Sequence, residues 1–288
     1  MNPLEQLYQH ACEVELQAFK PGNVSIYSAA YDMTVDDFRL SAKVSAPPLC
    51  NPDYSLGEKI FYAVNATREA VGCNTNLGII LLCAPLIQAI DYCRQSDMTL
   101  RQALHQVLAN TTLADADWAF KAIALAAPAG LGDVAEQDVK ASASVTLTEA
   151  MSLASSKDRI GLQYLTDYKD IFDFAVLRYN HTLLKWGNHH WAAVAVYADL
   201  LSHYPDSHIE RKYGDQYTEM VASRMIQLNN ELSATENPDL LMPLLHSMDQ
   251  ELKAQRINPG TTADMTVATV LTVFLDAFIS NNFSIFSS

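Results

Sequence analysis

The run LGIILLCAPLIQAI, residues 77–90, constrains this chain more than any other stretch. Apolar residues occupy every side of the helix it would form, so it belongs inside a protein. A membrane-spanning helix needs roughly 20 such residues, and this run falls short. It predicts a buried core helix. Immediately before it stand Asn74, Thr75 and Asn76, with Gly72 and Gly78 on either side. Thr75 or Asn76 could serve as an ordinary N-cap. One cap accounts for one polar residue, whereas three in a row also suit a loop that aims donors into a site. Free N–H groups at a helix start bind anions, and Asn and Thr side chains extend such a site.

Helical spacing governs the rest of the chain. Leu4, Leu7, Ala11 and Val14 form one apolar stripe, and Leu56, Ile60, Ala63, Val64, Thr67 and Val71 form another. Thr112 with Asp115 three residues on predicts a capped helix start. A long aromatic-rich helix is expected from Ile160 to Trp186, stopped by Gly187, and a buried one from Trp191 to Tyr204, stopped by Pro205. ASASVTL is the sole period-two candidate. The pattern predicts an all-α fold of roughly nine to twelve helices, with residues 1–288 as a single globular multi-helix domain, since no linker or fixed-period repeat is visible.

The formal charge of −14 excludes a general nucleic-acid binder, which needs clustered Lys and Arg. It leaves room for a phosphate-bearing small ligand held by a few donors or by a metal on carboxylates. Five cysteines without CxxC or zinc spacing read as buried thiols of a cytoplasmic protein. The first residues, MNPLEQLYQHACEVE, have no signal-peptide character, and no membrane partner is expected. Leu- and Met-rich helices near the C-terminus could supply a homodimer interface, although core packing explains them as well.

Four connections carry more polar chemistry than a connection needs. Lys20 and Asn23 flank a Pro21-Gly22 turn, and Asp32, Asp36 and Asp37 follow, with Thr34 or Asp36 as a helix cap. Arg68 and Glu69 end the helix that leads to Asn74-Thr75-Asn76. Asp206 and Ser207 follow a Pro turn, with Arg211 and Lys212 beyond them. Pro259-Gly260 is a turn, Thr261 or Thr262 caps an apolar helix, and Asp264 lies in its first turn. P-loop, dinucleotide, HExxH and GxSxG motifs are absent from the sequence. His189-His190 point to different sides of a helix and suit structural roles.

In this order, KPGN, YDM, REAVGCNTNLG, DRIGLQYLTDYKDIFD, PDSHIERKYG and NPGTTADMTVAT resemble the motifs of the triphosphoribosyl-dephospho-CoA synthase family across nearly the whole chain. The resemblance implies an all-α transferase using ATP and 3′-dephospho-CoA. A hydroxyl attacks the anomeric carbon of ATP's ribose, adenine leaves, and the triphosphate stays on the transferred sugar. It also implies Mg2+, held by Asp32 and Asp264, with Asp32, Asp264 and Glu69 as catalytic candidates. Lys20, Asn23, Arg68, Asn74, Thr75, Asn76, Asp206, Ser207, Arg211, Gly260 and Thr261 are the candidates for phosphate and ribose contacts. The chain departs from the family pattern at Ser25 (usually Asp), Ala30 (His) and Asn76-Leu77 (His-Lys). Such a divergent branch is also similar to proteins of one-carbon cofactor biosynthesis, making methanopterin or methanofuran. A non-catalytic nucleotide-binding protein of the same fold is the reading from another class.

Overall fold

The computed structural model describes residues 2–29, 33–126 and 143–283. Among these the chain is all-α, with fourteen α-helices and no strand. They are α1 (Pro3–Gln17), α2 (Val35–Leu49), α3 (Leu56–Val71), α4 (Leu77–Gln95), α5 (Leu100–Ala109), α6 (Leu113–Ala126) and α7 (Leu147–Ala154). Then come α8 (Arg159–Leu165), α9 (Val176–Trp186), α10 (His189–His203), α11 (Ser207–Tyr213), α12 (Thr218–Ala234), α13 (Met242–Ala254) and α14 (Gly260–Phe283). Side-chain caps set many of the starts. Thr34 with Asp37, Ser55 with Glu58, Thr99 with Gln102 and Thr146 with Glu149 form reciprocal capping boxes. The Thr146 box turns the end of ASASVTL into a helix start, where alternation suggested a strand.

Helices α4, α10 and α14 form the centre. α14 packs on α1, α4, α9 and α10, and α4 packs on α2, α3, α5 and α14. Buried apolar residues from Leu4 to Leu275 join in one cluster. α4 and α14 are long and apolar enough to cross a bilayer, yet 72% and 61% of their most apolar windows are buried inside the protein. Helix α4 runs past Ile90 to Gln95, further than the apolar run alone suggests.

Pro85 sits inside α4 and lacks the N–H that would bond to the carbonyl of Leu81. The hydroxyl of Tyr164 donates to that carbonyl at 2.7 Å, and Tyr168 donates to the neighbouring carbonyl of Leu82 at 3.0 Å. Both tyrosines are buried. To place them, the chain breaks the helix expected over 160–186. It stops at Leu165, turns through Asp167 and Tyr168 at φ of 50° and 55°, makes a π-helical turn at Ile171–Ala175, and resumes as α9. The left-handed backbone is costly for a residue as bulky as tyrosine. Burial of the ring and satisfaction of a buried carbonyl offset it.

Candidate functional site

The turn after α1 is built by a buried ion pair. Lys20 is fully enclosed, and its ammonium donates to the carbonyls of Glu15 and Val24 at 2.7 and 2.8 Å. It also pairs with the Glu15 carboxylate at 3.1 Å. Burial lowers the pKa of Lys20 and raises that of Glu15, while each partner's charge pulls the other way. The ammonium therefore folds the KPGN segment back onto α1. Gly22 adopts φ of 85°, open to glycine, and an added Cβ would sit 3.0 Å from the Ile257 carbonyl. Its N–H donates to Asp249 at 2.8 Å, Asn23 donates to Asn258 at 2.7 Å, and the Pro21 carbonyl accepts from Tyr197 at 2.8 Å. The turn before α2 is thus docked on the turn before α14.

Asp206 joins two helix starts. One carboxylate oxygen accepts from the N–H groups of His208 and Ile209 at 2.9 and 3.1 Å, capping α11. The other accepts from the N–H and hydroxyl of Thr262 at 2.7 and 2.8 Å, capping α14. The cap of α14 therefore comes from a loop about fifty residues upstream, in place of the local threonines. Burial raises the Asp206 pKa, and the Thr262 hydrogen bonds oppose it. The Ser207 hydroxyl accepts from the N–H of Arg159 at 2.8 Å. Asp158 caps α8 through the N–H of Ile160 at 2.8 Å and pairs with Arg211 at 2.5 Å. The starts of α8, α11 and α14 are thereby tied together.

Helix α4 brings its own start to the same place. Oδ2 of Asp264 lies 2.0 Å from where a Cβ on Gly78 would be, and the end of Ile160 lies 2.9 Å from it. Asp264 is packed round by protein yet keeps some exposed surface, and it makes no hydrogen bond or ion pair with any described residue. Burial pushes its carboxyl well above the usual range, Glu15, Asp206 and Asp158 add to this, and Arg211 opposes it. In the preceding loop, Asn74 caps α4 by accepting from the N–H of Leu77 at 3.1 Å. Thr75 and Asn76 face α2 instead. The Thr75 hydroxyl meets Ser41 at 2.5 Å, and the Asn76 amide donates to Ser45 at 3.3 Å. Ser45 continues the network to Tyr8 at 3.0 Å. Leu77 is buried in the core cluster.

Of the residues singled out from sequence, Lys20, Asn23, Asp206, Ser207, Arg211, Gly260, Thr261 and Asp264 therefore gather around the starts of α11 and α14, with the start of α4 against Asp264. Thr261 is buried, and Gly260 faces His208. Arg68 and Glu69 lie exposed on the last turn of α3, where Asn65 donates to Glu69 at 2.8 Å. Asp32 lies outside the described residues. Glu15, Asp158 and His208 belong to the cluster and were not singled out. Asp158 had a legible signal, an acid just ahead of an apolar helical run, whereas nothing local marks Glu15. A cavity of about 160 Å³ opens beside Asp206, walled by Leu201, Tyr204, Pro205, Ile209 and Val221. A larger one, about 400 Å³, is lined by α5 and Asp167 and shares no residue with the cluster.

Chemically the cluster is acidic, and its cations are committed. Lys20 is held by Glu15 and Arg211 by Asp158, while Asp264 has no hydrogen-bond or ion-pair partner among the described residues. Among the described residues, no three His, Cys, Asp or Glu side chains stand together as a ready-made metal cage. The family model for ATP:dephospho-CoA triphosphoribosyl transferase matches residues 1–283. No curated protein and no solved structure matches the chain. With agreement over nearly its whole length and in an all-α fold, the chain belongs to the ATP:dephospho-CoA triphosphoribosyl transferase family, enzymes that transfer a ribosyl group from ATP.

Proposed function

We propose that the reaction takes place where α4, α8, α11 and α14 begin. A hydroxyl of a dephospho-CoA acceptor attacks the anomeric carbon of ATP's ribose there. The oxygen–carbon bond forms as the glycosidic carbon–nitrogen bond breaks. The hydroxyl proton passes to a base, and adenine leaves carrying the bond's electron pair and gains a proton. The observation that carries this reading is Asp264, a carboxyl with no hydrogen-bond or ion-pair partner among the described residues, at the meeting point of these helix starts.

The residues present fit a bound Mg2+. Magnesium is held by one or two carboxylates together with substrate phosphates and water, so a three-residue cage is not required. Asp264 offers a hard oxygen donor, and Lys20 and Arg211 are already paired with Glu15 and Asp158. When bound, the ion would neutralise the phosphate charge. Asp264, with its proton held by burial, gives that proton up as a cation arrives. Asp206, Ser207 and Arg211 shape the surrounding wall, and Lys20 and Asn23 hold the KPGN turn in register with it. Asn74 keeps α4 started at Leu77.

The test is adenine release from ATP with and without dephospho-CoA, in wild type and in Asp264→Asn. Acceptor-dependent release in wild type, reduced at least tenfold in the variant, is expected. An unimpaired variant would overturn the role of Asp264. A second reading, a related nucleotide-dependent transfer in one-carbon cofactor biosynthesis, is favoured by Leu77 and Asn76. Where the family has a His-Lys pair, this chain turns one side chain into the core and the other toward Ser45. ATP-dependent adenine release that ignores dephospho-CoA would point to that reading. Thermal stabilisation by ATP without any turnover would make the chain a binding protein.

A further inference from the structure

Gly78 closes the NTNLG motif, and neither capping nor a turn explains it, because it sits within the first turn of α4. We infer that Gly78 is a positioning residue: its missing side chain is the space in which the Asp264 carboxylate is held. The geometry is specific. A Cβ at position 78 would lie 2.0 Å from Oδ2 and 2.6 Å from Cγ of Asp264, and 2.9 Å from the tip of Ile160. At this glycine α4 thus meets side chains of α8 and α14. No hydrogen bond to a described residue orients the carboxylate, so the shape of this gap does so.

The three atoms nearest to a methyl group at position 78 all belong to the side chains of Asp264 and Ile160, and none to backbone. An alanine can therefore be accommodated by turning Asp264 and Ile160 aside, without moving backbone. Ordinary contact begins near 3.4 Å, so Oδ2 would shift by at least 1.4 Å (3.4 minus 2.0). A misplacement of about 1 Å at a reacting centre costs on the order of 100-fold in rate. Gly78 should then matter far more to turnover than to folding, the reverse of a glycine kept for packing alone.

The inference rests on the proposed role of Asp264, and its test separates the two. Adenine release is measured for Gly78→Ala, Asp264→Asn and the double variant, with each protein's melting temperature and helical circular dichroism. Gly78→Ala is expected to stay folded while kcat per folded molecule falls on the order of 100-fold. In the Asp264→Asn background the same change should add less than threefold, because the group it displaces is already disabled. Full activity in Gly78→Ala, or independent multiplicative losses in the double variant, would overturn the positioning role while leaving Asp264 intact. A loss of activity matched by an equal loss of folded protein would also overturn it, since that is what packing alone produces. An active Asp264→Asn would instead bring down the catalytic reading on which it rests.

Discussion

At the scale of single residues, buried charges near the cluster hold loops in place. Lys20 is the clearest case. From sequence it reads as a phosphate contact beside a Pro-Gly turn, but its ammonium is enclosed and its bonds go to Glu15 and to backbone carbonyls. Lys20→Met should leave the Glu15 carboxylate buried without a partner and cost roughly 3–5 kcal/mol, read from urea unfolding. Replacing both members of the pair with apolar residues should cost less than replacing Lys20 alone. If Lys20 acted only on substrate, its loss would change affinity and leave the urea midpoint in place. Thr75 makes the complementary case. Its hydroxyl bonds to Ser41, so Thr75→Ala should cost about 1 kcal/mol of stability with unchanged affinity for MgATP by calorimetry. Asn74→Ala should cost about 1 kcal/mol as well, through loss of the cap on α4.

At the scale of elements, the defect that Pro85 introduces into the central helix governs the shape of its neighbours. The tyrosine hydroxyl on the Leu81 carbonyl explains why the helix expected over 160–186 is broken, and why a residue as bulky as Tyr168 tolerates a positive φ. Tyr164→Phe keeps the ring and removes the donor, leaving a buried carbonyl unpaired. It should destabilise the protein by about 1–3 kcal/mol, measurable as a lowered denaturation midpoint with an unchanged slope. Combining it with Pro85→Ala, which restores a backbone donor to Leu81, should recover much of that loss. An additive result would show that the hydroxyl was doing something other than satisfying the carbonyl.

Across the whole molecule, buried carboxyls set the response to pH. Burial raises Asp276 on α14 to about 6, against an ordinary value near 3.9. Because the folded state holds this proton more tightly, the group's contribution is fully present below about pH 4. It is lost as pH rises to about 6 and stays constant above that. Glu15, Asp206 and Asp264, also raised, slope the same way. The contribution of Asp276 to melting temperature should therefore fall between pH 4 and 6. It runs against the rise from His189, His190 and His208, whose pKa values burial lowers. Asp276→Asn should remove that fall and be more stable than wild type at pH 7. An Asp276→Asn profile that runs parallel to wild type between pH 4 and 6 would contradict this. Mg2+ with ATP should release a proton on binding, seen as an enthalpy that changes with the buffer's ionisation heat, if the ion displaces the one held at Asp264.

Periodicity and local chemistry alone determined that the chain is all-α, that residues 77–90 lie in a core helix, and that Thr34, Thr112 and Gly187 mark helix ends. Those features depend on residues three or four positions apart, so they are written within a few turns of chain. The ordered motifs also pointed to the family, because a family pattern is a property of sequence. Tertiary structure alone decided which polar residues meet. Asp206 caps α14 across 56 residues, Gly22 reaches Asp249 across 227, and the charge of Glu15 acts on Asp264 from the other end of the chain. It also decided that Arg68 and Glu69, spaced like their neighbours, stay on an exposed turn. The physical reason is that burial and long-range pairing set the fate of a charge. Neither can be read from the residues beside it.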